Sequence, residues 1–384
     1  MFDRFSRINF GSEYYADAIK KANSKTSPID IPGINVLNDK LNAAISSNTS
    51  EVALLIEGKR FRFWSAMRIT RSLDAVDTIQ LSAPFDISMK EQFKPFSYKP
   101  VVVTVGGEVV FTGTLIGVNP TTEKTIEVTA YSKPAVLSDC TAPAGAYPLE
   151  FSDLNLFEIA SNLAEPFGIT VKLQGDAGMK FERVALEPEE LVFDFLSDLA
   201  KQRGLILSST TTGELLILQP TPNQPVAFLE QGAPPLLSVE PFFSPQEYYS
   251  HLTGLESVSV GSAGSQYTIK NPHLSDVIRP ISFKSEDVKG GSLQQSVSSK
   301  ISRMYANMAS YNATVTTWRT ASGKIWTPND TIKLKSDDAM IYTNYTFMIR
   351  SVNFYKDALQ EYAVLDLILP NAFSNEIPEV LPWD

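Results

Sequence analysis

Short segments of alternating apolar and polar residues follow an initial polar stretch of the chain. Alternation with a period of two is typical of β-strands that bury one face, and residues 67–71 show it clearly. Residues 101–105 and 108–111 are two such segments joined by Gly106-Gly107, a two-residue turn suited to positive φ. We therefore predict that residues 51–143 form a first small β-barrel-like domain.

Helical spacing replaces this alternation between residues 144 and 219. A first helix is predicted from one stripe of four apolar residues, namely Leu156, Ile159, Ala160 and Leu163. Either Ser152 or Asp153 is expected to cap its N-terminus, and Pro166 with Gly168 is expected to end it.

A second helix is predicted from a buried face of five apolar residues, namely Leu191, Val192, Phe195, Leu196 and Leu199. Pro188 and the acidic residues beside it suit a first helical turn, and Gly204 suits a C-terminal cap. Apolar runs at residues 205–207 and 215–218 follow as strands. Residues 144–219 are therefore predicted to form a compact two-helix α+β domain.

Prolines mark the boundary to a third unit. They are Pro220, Pro222, Pro225, Pro234 and Pro235, and because proline lacks a backbone donor we predict a Pro-rich linker at 220–240. A second β-barrel-like domain is predicted at 241–384, with a helical and loop insertion at about 261–312. Its strands are expected at residues 256–260, 313–318, 331–334 and 362–369.

The predicted fold is thus mainly β with α+β, in which two small β-barrel-like domains flank the two-helix domain. Residues 1–50 precede these domains as a helical N-terminal arm with narrow apolar faces. An isolated helix shorter than ~12–15 residues is marginal in water, so order must come from a partner surface. The expected anchors on a neighbouring subunit or another protein are Tyr15, Ile19, Val36, Leu37 and Leu41.

Composition narrows the function classes. A chain of 384 residues is too long for one ordinary core. The formal net charge of −10 disfavours specific binding to a phosphate backbone. Residues 150–230 hold thirteen acidic and five basic side chains, an excess of eight. A single cysteine, Cys140, excludes an intrachain disulfide framework, and the N-terminus does not look like a secretory signal.

Candidate catalytic chemistry is sparse. The only histidines are His251 and His273, and neither has a metal-ligand partner at a suitable spacing. Adjacent acids such as Glu189 and Glu190 are more typical of a helix N-terminus than of a glycosidase pair. We predict that the protein is not an enzyme and uses no cofactor, metal or small-molecule substrate.

Four stretches, taken in their order and spacing, resemble the baseplate hub proteins of Mu-like contractile-tailed bacteriophages, the tail-spike hub family. They are residues 56–73, 105–113, 196–215 and 318–329. The resemblance covers roughly residues 52–370 and leaves the arm and residues 261–291 without a counterpart.

That resemblance implies a structural subunit of the virion tail baseplate, assembled in the host cytoplasm. It implies a homotrimer whose two β domains alternate around a pseudo-sixfold ring, joining the tail tube protein to the central spike protein beside neighbouring baseplate proteins. DNA would pass through the ring non-specifically. Two alternatives stay open from the residues, a cell-wall-degrading tail or spike protein and a carbohydrate-binding tail-tip protein.

Overall fold

The computed structural model describes residues 51–220, 223–259, 262–285, 293–370, 372–373 and 376–384. The N-terminal arm lies outside these residues, and so do its five proposed anchors, Tyr15, Ile19, Val36, Leu37 and Leu41. Within the described chain no helix is long and apolar enough to cross a membrane.

The first β unit contains seven strands. They are β1 (Val52–Ile56), β2 (Lys59–Phe61), β3 (Ala66–Ser72), β4 (Thr78–Pro84), β5 (Pro100–Val105), β6 (Glu108–Pro120) and β7 (Thr125–Ser132). The predicted hairpin is confirmed, because Val105 pairs with Glu108 across Gly106 and Gly107, which both have positive φ. Alternate residues of these strands are buried, as their sequence pattern predicts.

The α+β unit follows with two helices and five short strands. They are β8 (Glu150–Leu154), α1 (Leu156–Ala164), β9 (Val171–Gln174), β10 (Phe181–Ala185), α2 (Val192–Gln202), β11 (Ile206–Ser209) and β12 (Leu215–Leu218). The apolar stripe predicted for α1 is fully buried. In α2 only Leu191 differs from the predicted face, since it precedes the helix as its N-cap.

The second β unit holds the remaining elements. They are β13 (Phe228–Glu230), β14 (Leu236–Phe243), β15 (His251–Ser259), β16 (Ser262–Lys270), β17 (Pro280–Ser285), α3 (Leu293–Met308), β18 (Ala309–Val315), β19 (Thr331–Ser336), β20 (Ile341–Asp357) and β21 (Glu361–Ile368). β15, β16 and β17 form a separate three-stranded sheet under α3. The helix approaches closely at Gly254, where an added Cβ would lie 2.6 Å from Val297.

Three local predictions are wrong. Asn155, not Ser152 or Asp153, caps α1 through a capping box with Glu158, because Ser152 and Asp153 belong to β8. Pro188 and its acidic neighbours lie before α2 rather than in its first turn. Within the predicted linker, residues 228–230 pair in parallel with β19, which is possible because none of the three is a proline.

Thirteen strands from both β units form one continuous sheet. Its main path runs β14-β18-β21-β20-β3-β4-β7-β6-β5-β1-β2, and β19 and β13 continue from β20. The chain is therefore mainly β, and none of the four sheets that the described residues form closes into a barrel. One hydrophobic core runs through both β units, while the α+β unit has a core of its own.

The large sheet contains an internal repeat that sequence inspection missed. We name β3 to β7 the N-terminal repeat and β14 with β18 to β21 the C-terminal repeat. In both repeats the strands lie side by side in the order first, second, fifth, fourth, third, and every pairing is antiparallel. The fourth strand is the longest in each repeat. It also has an irregularity at the same place, between Leu115 and Gly117 in β6 and between Ile349 and Ser351 in β20.

Candidate assembly interface

The two repeats meet inside the chain along β3 and β20. Seven residue pairs run from Ser72 with Ser351 to Ala66 with Asp357, and just beyond them Leu73 donates its N–H to the carbonyl oxygen of Arg350 at 2.9 Å. The open edge of one repeat is thus completed by the first strand of the other. Pairing of this kind removes an exposed sheet edge.

Side chains reinforce this joint around Asn353. Its Oδ1 accepts hydrogen bonds from the Arg68 guanidinium at 2.9 Å and from the Thr70 hydroxyl at 2.8 Å. The Arg68 guanidinium also lies 5.1 Å from the centre of the Tyr355 ring, within the range of a cation–π contact. Asn353 therefore links the two strands by side chains as well as by backbone.

A loop of the C-terminal repeat, residues 316–330, clasps the neighbouring repeat beside this joint. Its Arg319 donates to the carbonyl oxygen of Val105 at 2.9 Å and to Glu108 Oε2 at 3.2 Å, at the turn between β5 and β6. Trp318 and Trp326 anchor the loop in the core, and Trp318 Nε1 donates to the carbonyl oxygen of Tyr362 at 2.9 Å. These two tryptophans are core residues.

The outer ends of the two repeats present open edges. Among the described strands β14 pairs with β18 alone, and residues 117–120 of β6 pair only with β7. Strand β14 exposes Leu237, Phe242 and Phe243. A long edge strand with exposed apolar side chains is a candidate surface for pairing with another chain.

The N-terminal repeat has its own counterpart of the clasping loop, residues 85–99. Its end is fixed in the same way, since Leu115 donates to the carbonyl oxygen of Lys99 as Ile349 does to that of Asp330. Tyr98, with φ of 47°, lies where the other loop has Asn329, with φ of 73°. Both loops thus hold a residue other than glycine in the left-handed region, which costs energy for a bulky side chain.

Loop 85–99 is anchored at one end and apolar at its surface. Phe93 is buried with its ring 5.3 Å from that of Phe61, whereas Ile87, Phe96 and Tyr98 are exposed, Phe96 to 85%. Lys90 and Lys94 are exposed beside them. A constrained loop that presents aromatic and cationic side chains suits protein recognition.

The turn between β19 and β20 occupies in the C-terminal repeat the place of the clasped turn between β5 and β6. It exposes two carboxylates, Asp337 and Asp338, and two large apolar side chains, Met340 and Tyr342. Loop 85–99 exposes Lys90 and Lys94 as well as Asp86 and Glu91, whereas this turn exposes carboxylates, so the two lysines are the part of the loop that is complementary to it in charge.

The α+β unit is fixed to the N-terminal repeat by hydroxyl groups. The Ser208 hydroxyl donates to the carbonyl oxygen of Ser72 at 2.8 Å, and the hydroxyls of Ser132 and Ser209 lie 2.7 Å apart. The Thr112 hydroxyl donates to the carbonyl oxygen of Thr211 at 2.7 Å. The acidic unit also contacts α3, where the Ser299 hydroxyl donates to the carbonyl oxygen of Lys201 at 3.0 Å.

A buried carboxylate lies at this attachment. Asp77 accepts a hydrogen bond from the N–H of Ser72 at 2.9 Å, and its Oδ2 is 3.5 Å from Arg71 Nε. Burial raises the pKa of Asp77 to about 6, although the positive charge of Arg71 acts to lower it. The pair lies at the turn between β3 and β4.

The two histidines and the cysteine that were considered for catalysis do not form one site, and both histidines contact polar groups of the protein. His251 Nδ1 lies 2.9 Å from the Ser250 hydroxyl, and His273 Nε2 lies 2.6 Å from the carbonyl oxygen of Pro378 in the C-terminal segment. Cys140 is half-buried. In the part of the chain that the structure describes, no three His, Cys, Asp or Glu residues are grouped as metal ligands.

Sequence reasoning missed the interface because the repeat is weak in sequence. The clearest signal is a shared dipeptide, since Val118-Asn119 and Val352-Asn353 follow the irregularity in β6 and β20. Aligning the repeats on their strand pairings makes Asn119 equivalent to Asn353. Asn353 is engaged at the internal joint, whereas Asn119 is exposed.

Comparison with known proteins places the α+β unit in a family. Residues 134–219 match the family model described as baseplate hub protein gp44-like, second domain. The baseplate hub protein gp44 of Escherichia phage Mu is 26% identical over 181 residues, which cover 44% of this chain and 45% of that protein. The match thus spans less than half the length of this curated relative.

Two solved structures share most of the fold. The 43 kDa tail protein of prophage MuSo2 from Shewanella oneidensis has a TM-score of 0.72 and 26% identity, covering 84% of this chain and 99% of that chain. The tail protein from Neisseria meningitidis MC58 has a TM-score of 0.71 and 18% identity, covering 84% and 98%. The resemblance to Mu-like baseplate hub proteins is confirmed.

Proposed function

We propose that this protein is a structural baseplate hub subunit of a contractile phage tail, and that three copies close into a ring. The ring joins the tail tube to the central spike and lets DNA pass without specific contacts. The similarity to the Mu hub protein and to the MuSo2 tail protein supports a place in the virion tail.

The observation that carries this proposal is the internal repeat. Each chain supplies two units of identical strand connectivity, joined edge to edge through β3 and β20. Three such chains give six similar units, which is what an adaptor between a sixfold tube and a threefold spike requires. Head-to-tail contacts between unlike edges form a closed ring when the rotation between units is suitable.

Several finer assignments belong to the same proposal. The two β units act as ring domains at about 51–143 and 241–384, with the α+β unit of 144–219 placed between them in the chain and the segment 220–240 as a connection. The N-terminal arm, through Tyr15, Ile19, Val36, Leu37 and Leu41, attaches each copy to a neighbouring subunit or another baseplate protein. Deleting residues 1–50 should leave the described units folded and weaken attachment to the tail.

The test is the mass and symmetry of the assembly. The purified chain, alone or with tail tube and spike proteins, is expected to show a trimer mass and a threefold ring with a central opening by electron microscopy. A strictly monomeric mass across micromolar concentrations, with those tail components present, would contradict the proposal.

A structural role also makes the dispersed polar residues dispensable. Replacing His251, His273 or Cys140 should leave particle assembly and infectivity nearly intact, provided that the variants fold. Loss of infectivity with normal particles would favour an enzyme instead. Clearing of a peptidoglycan zymogram, or binding to a glycan array, would favour the cell-wall-degrading or carbohydrate-binding alternative.

A further inference from the structure

We infer that the contact between two copies repeats the contact inside one chain: β14 of one copy lies along residues 117–120 of β6 of the next, and loop 85–99 clasps the turn between β19 and β20. The inference rests on the proposed ring and names the surfaces that form it. Its occupant is a second copy of this chain.

The strand part follows from the alignment of the repeats. Strand pairings make Gly117 equivalent to Ser351 and Pro241 equivalent to Ile69. Inside the chain Ser351 lies opposite Ser72 and Ile69 lies opposite Phe354. Between copies the same geometry places Phe243 opposite Val118, Phe242 opposite Asn119 and Pro241 opposite Pro120. Phe242 and Phe243, about half exposed in the free chain, would thus lose contact with water.

The loop part follows from the same equivalence. Inside the chain, loop 316–330 reaches the turn between β5 and β6 through Arg319. Loop 85–99 and the turn between β19 and β20 are the corresponding pair. Within the same chain Gln231 hydrogen-bonds to Asp338 at this turn, but Asp337 and Asp338 both stay exposed. The exposed Lys90 and Lys94 therefore face Asp337 and Asp338 of the next copy.

The distribution of exposed apolar side chains supports this assignment. Sixteen large hydrophobic side chains are exposed in the described chain. Eight of them lie on β14, in loop 85–99 or at residues 340–342 beside the turn between β19 and β20. They are Ile87, Phe96, Tyr98, Leu237, Phe242, Phe243, Met340 and Tyr342. Apolar residues with complementary charges at their rim are the usual anatomy of a specific protein interface.

Cross-linking tests the geometry directly. In a Cys140→Ser background the only cysteines are those introduced, so the double variant Lys94→Cys/Asp337→Cys, treated with a short bismaleimide, should yield covalent dimers and trimers. Either single variant should stay uncross-linked. A second double variant, Asn119→Cys/Phe242→Cys, tests the strand contact in the same way.

Charge exchange tests the clasp in solution. Lys90→Glu/Lys94→Glu should raise the midpoint concentration of ring assembly about tenfold, as expected for two rim ion pairs turned repulsive. Adding Asp337→Lys/Asp338→Lys to the same chain should restore assembly to within about threefold. Lys180→Glu/Lys201→Glu, an equal charge change on the α+β unit, should have no effect.

The outcomes separate the two proposals. Wild-type rings that form normally but show neither cross-links nor sensitivity to charge exchange would overturn the inference and leave the proposed function standing. A wild-type chain that forms no ring with its tail partners would overturn both. Cross-links in both double variants together with charge rescue support the inference.

Discussion

Two equivalent asparagines should respond differently to replacement by alanine. Asn353→Ala should destabilise the folded chain, whereas Asn119→Ala should leave the folded chain almost unchanged and weaken assembly. Asn353 accepts hydrogen bonds from Arg68 and Thr70 at the internal joint. A bond from a charged donor contributes about 1.5–3 kcal/mol and a neutral one about 1 kcal/mol. Because Asn353 is only half-buried, we expect Asn353→Ala to lower the free energy of unfolding by about 1–3 kcal/mol. Asn119→Ala should change it by less than about 0.5 kcal/mol, since Asn119 is exposed.

The assay is urea unfolding of the monomer, followed by the fluorescence of the buried Trp318 and Trp326. It must be run below the assembly concentration, because association itself stabilises the folded state. In a parallel assembly assay, Asn119→Ala should raise the midpoint concentration, because the alignment of the repeats places Glu240 of the next copy where Arg68 lies inside the chain, as an acceptor for the Asn119 amide. Equal destabilisation by the two variants, or no effect of Asn119→Ala on assembly, would refute the equivalence of the two edges.

Three further predictions concern the fold. Because burial raises the pKa of Asp77 to about 6, the folded chain holds that proton more tightly than the unfolded chain. Its ionisation should remove up to about 3 kcal/mol of stability between about pH 4 and pH 6, measured as a fall in wild-type stability relative to Asp77→Asn as the pH rises. Trp326→Ala, which empties a fully buried site, should cost about 3–5 kcal/mol in urea titration, and a cost below about 1 kcal/mol would show that the site collapses. Asn155→Ala removes the capping box of α1 and should cost about 1 kcal/mol, while Ser152→Ala, at the position first expected to cap, should cost less.

The sequence predicts local structure well where one face of an element is buried. The hairpin at Gly106-Gly107 and the apolar stripe of α1 follow from periodicity and turn chemistry alone. Helix boundaries are less predictable, because Asn155 and Ser152 both suit a cap and only the pairing of β8 with β10 decides between them.

The joining of the two β units could not be predicted from the sequence. Residues 66–72 pair with residues 351–357, almost the full length of the described chain away, and no local pattern specifies such a partner. The same limit hid the candidate interface. Phe242 and Phe243 look like ordinary strand residues until the structure shows that they lie on an edge strand and stay about half exposed.

Pro241 in β14 affects how the open edge of this strand can pair with other chains. Ser244 donates its N–H to the carbonyl oxygen of Met308, directly before the neighbouring strand β18. By alternation the nitrogen of Pro241 therefore faces the open edge and can donate nothing there. An arbitrary strand meeting this edge finds its hydrogen-bond ladder interrupted, which slows indiscriminate aggregation. The open edge of β14 is thus protected from pairing with arbitrary strands by a residue of its own backbone.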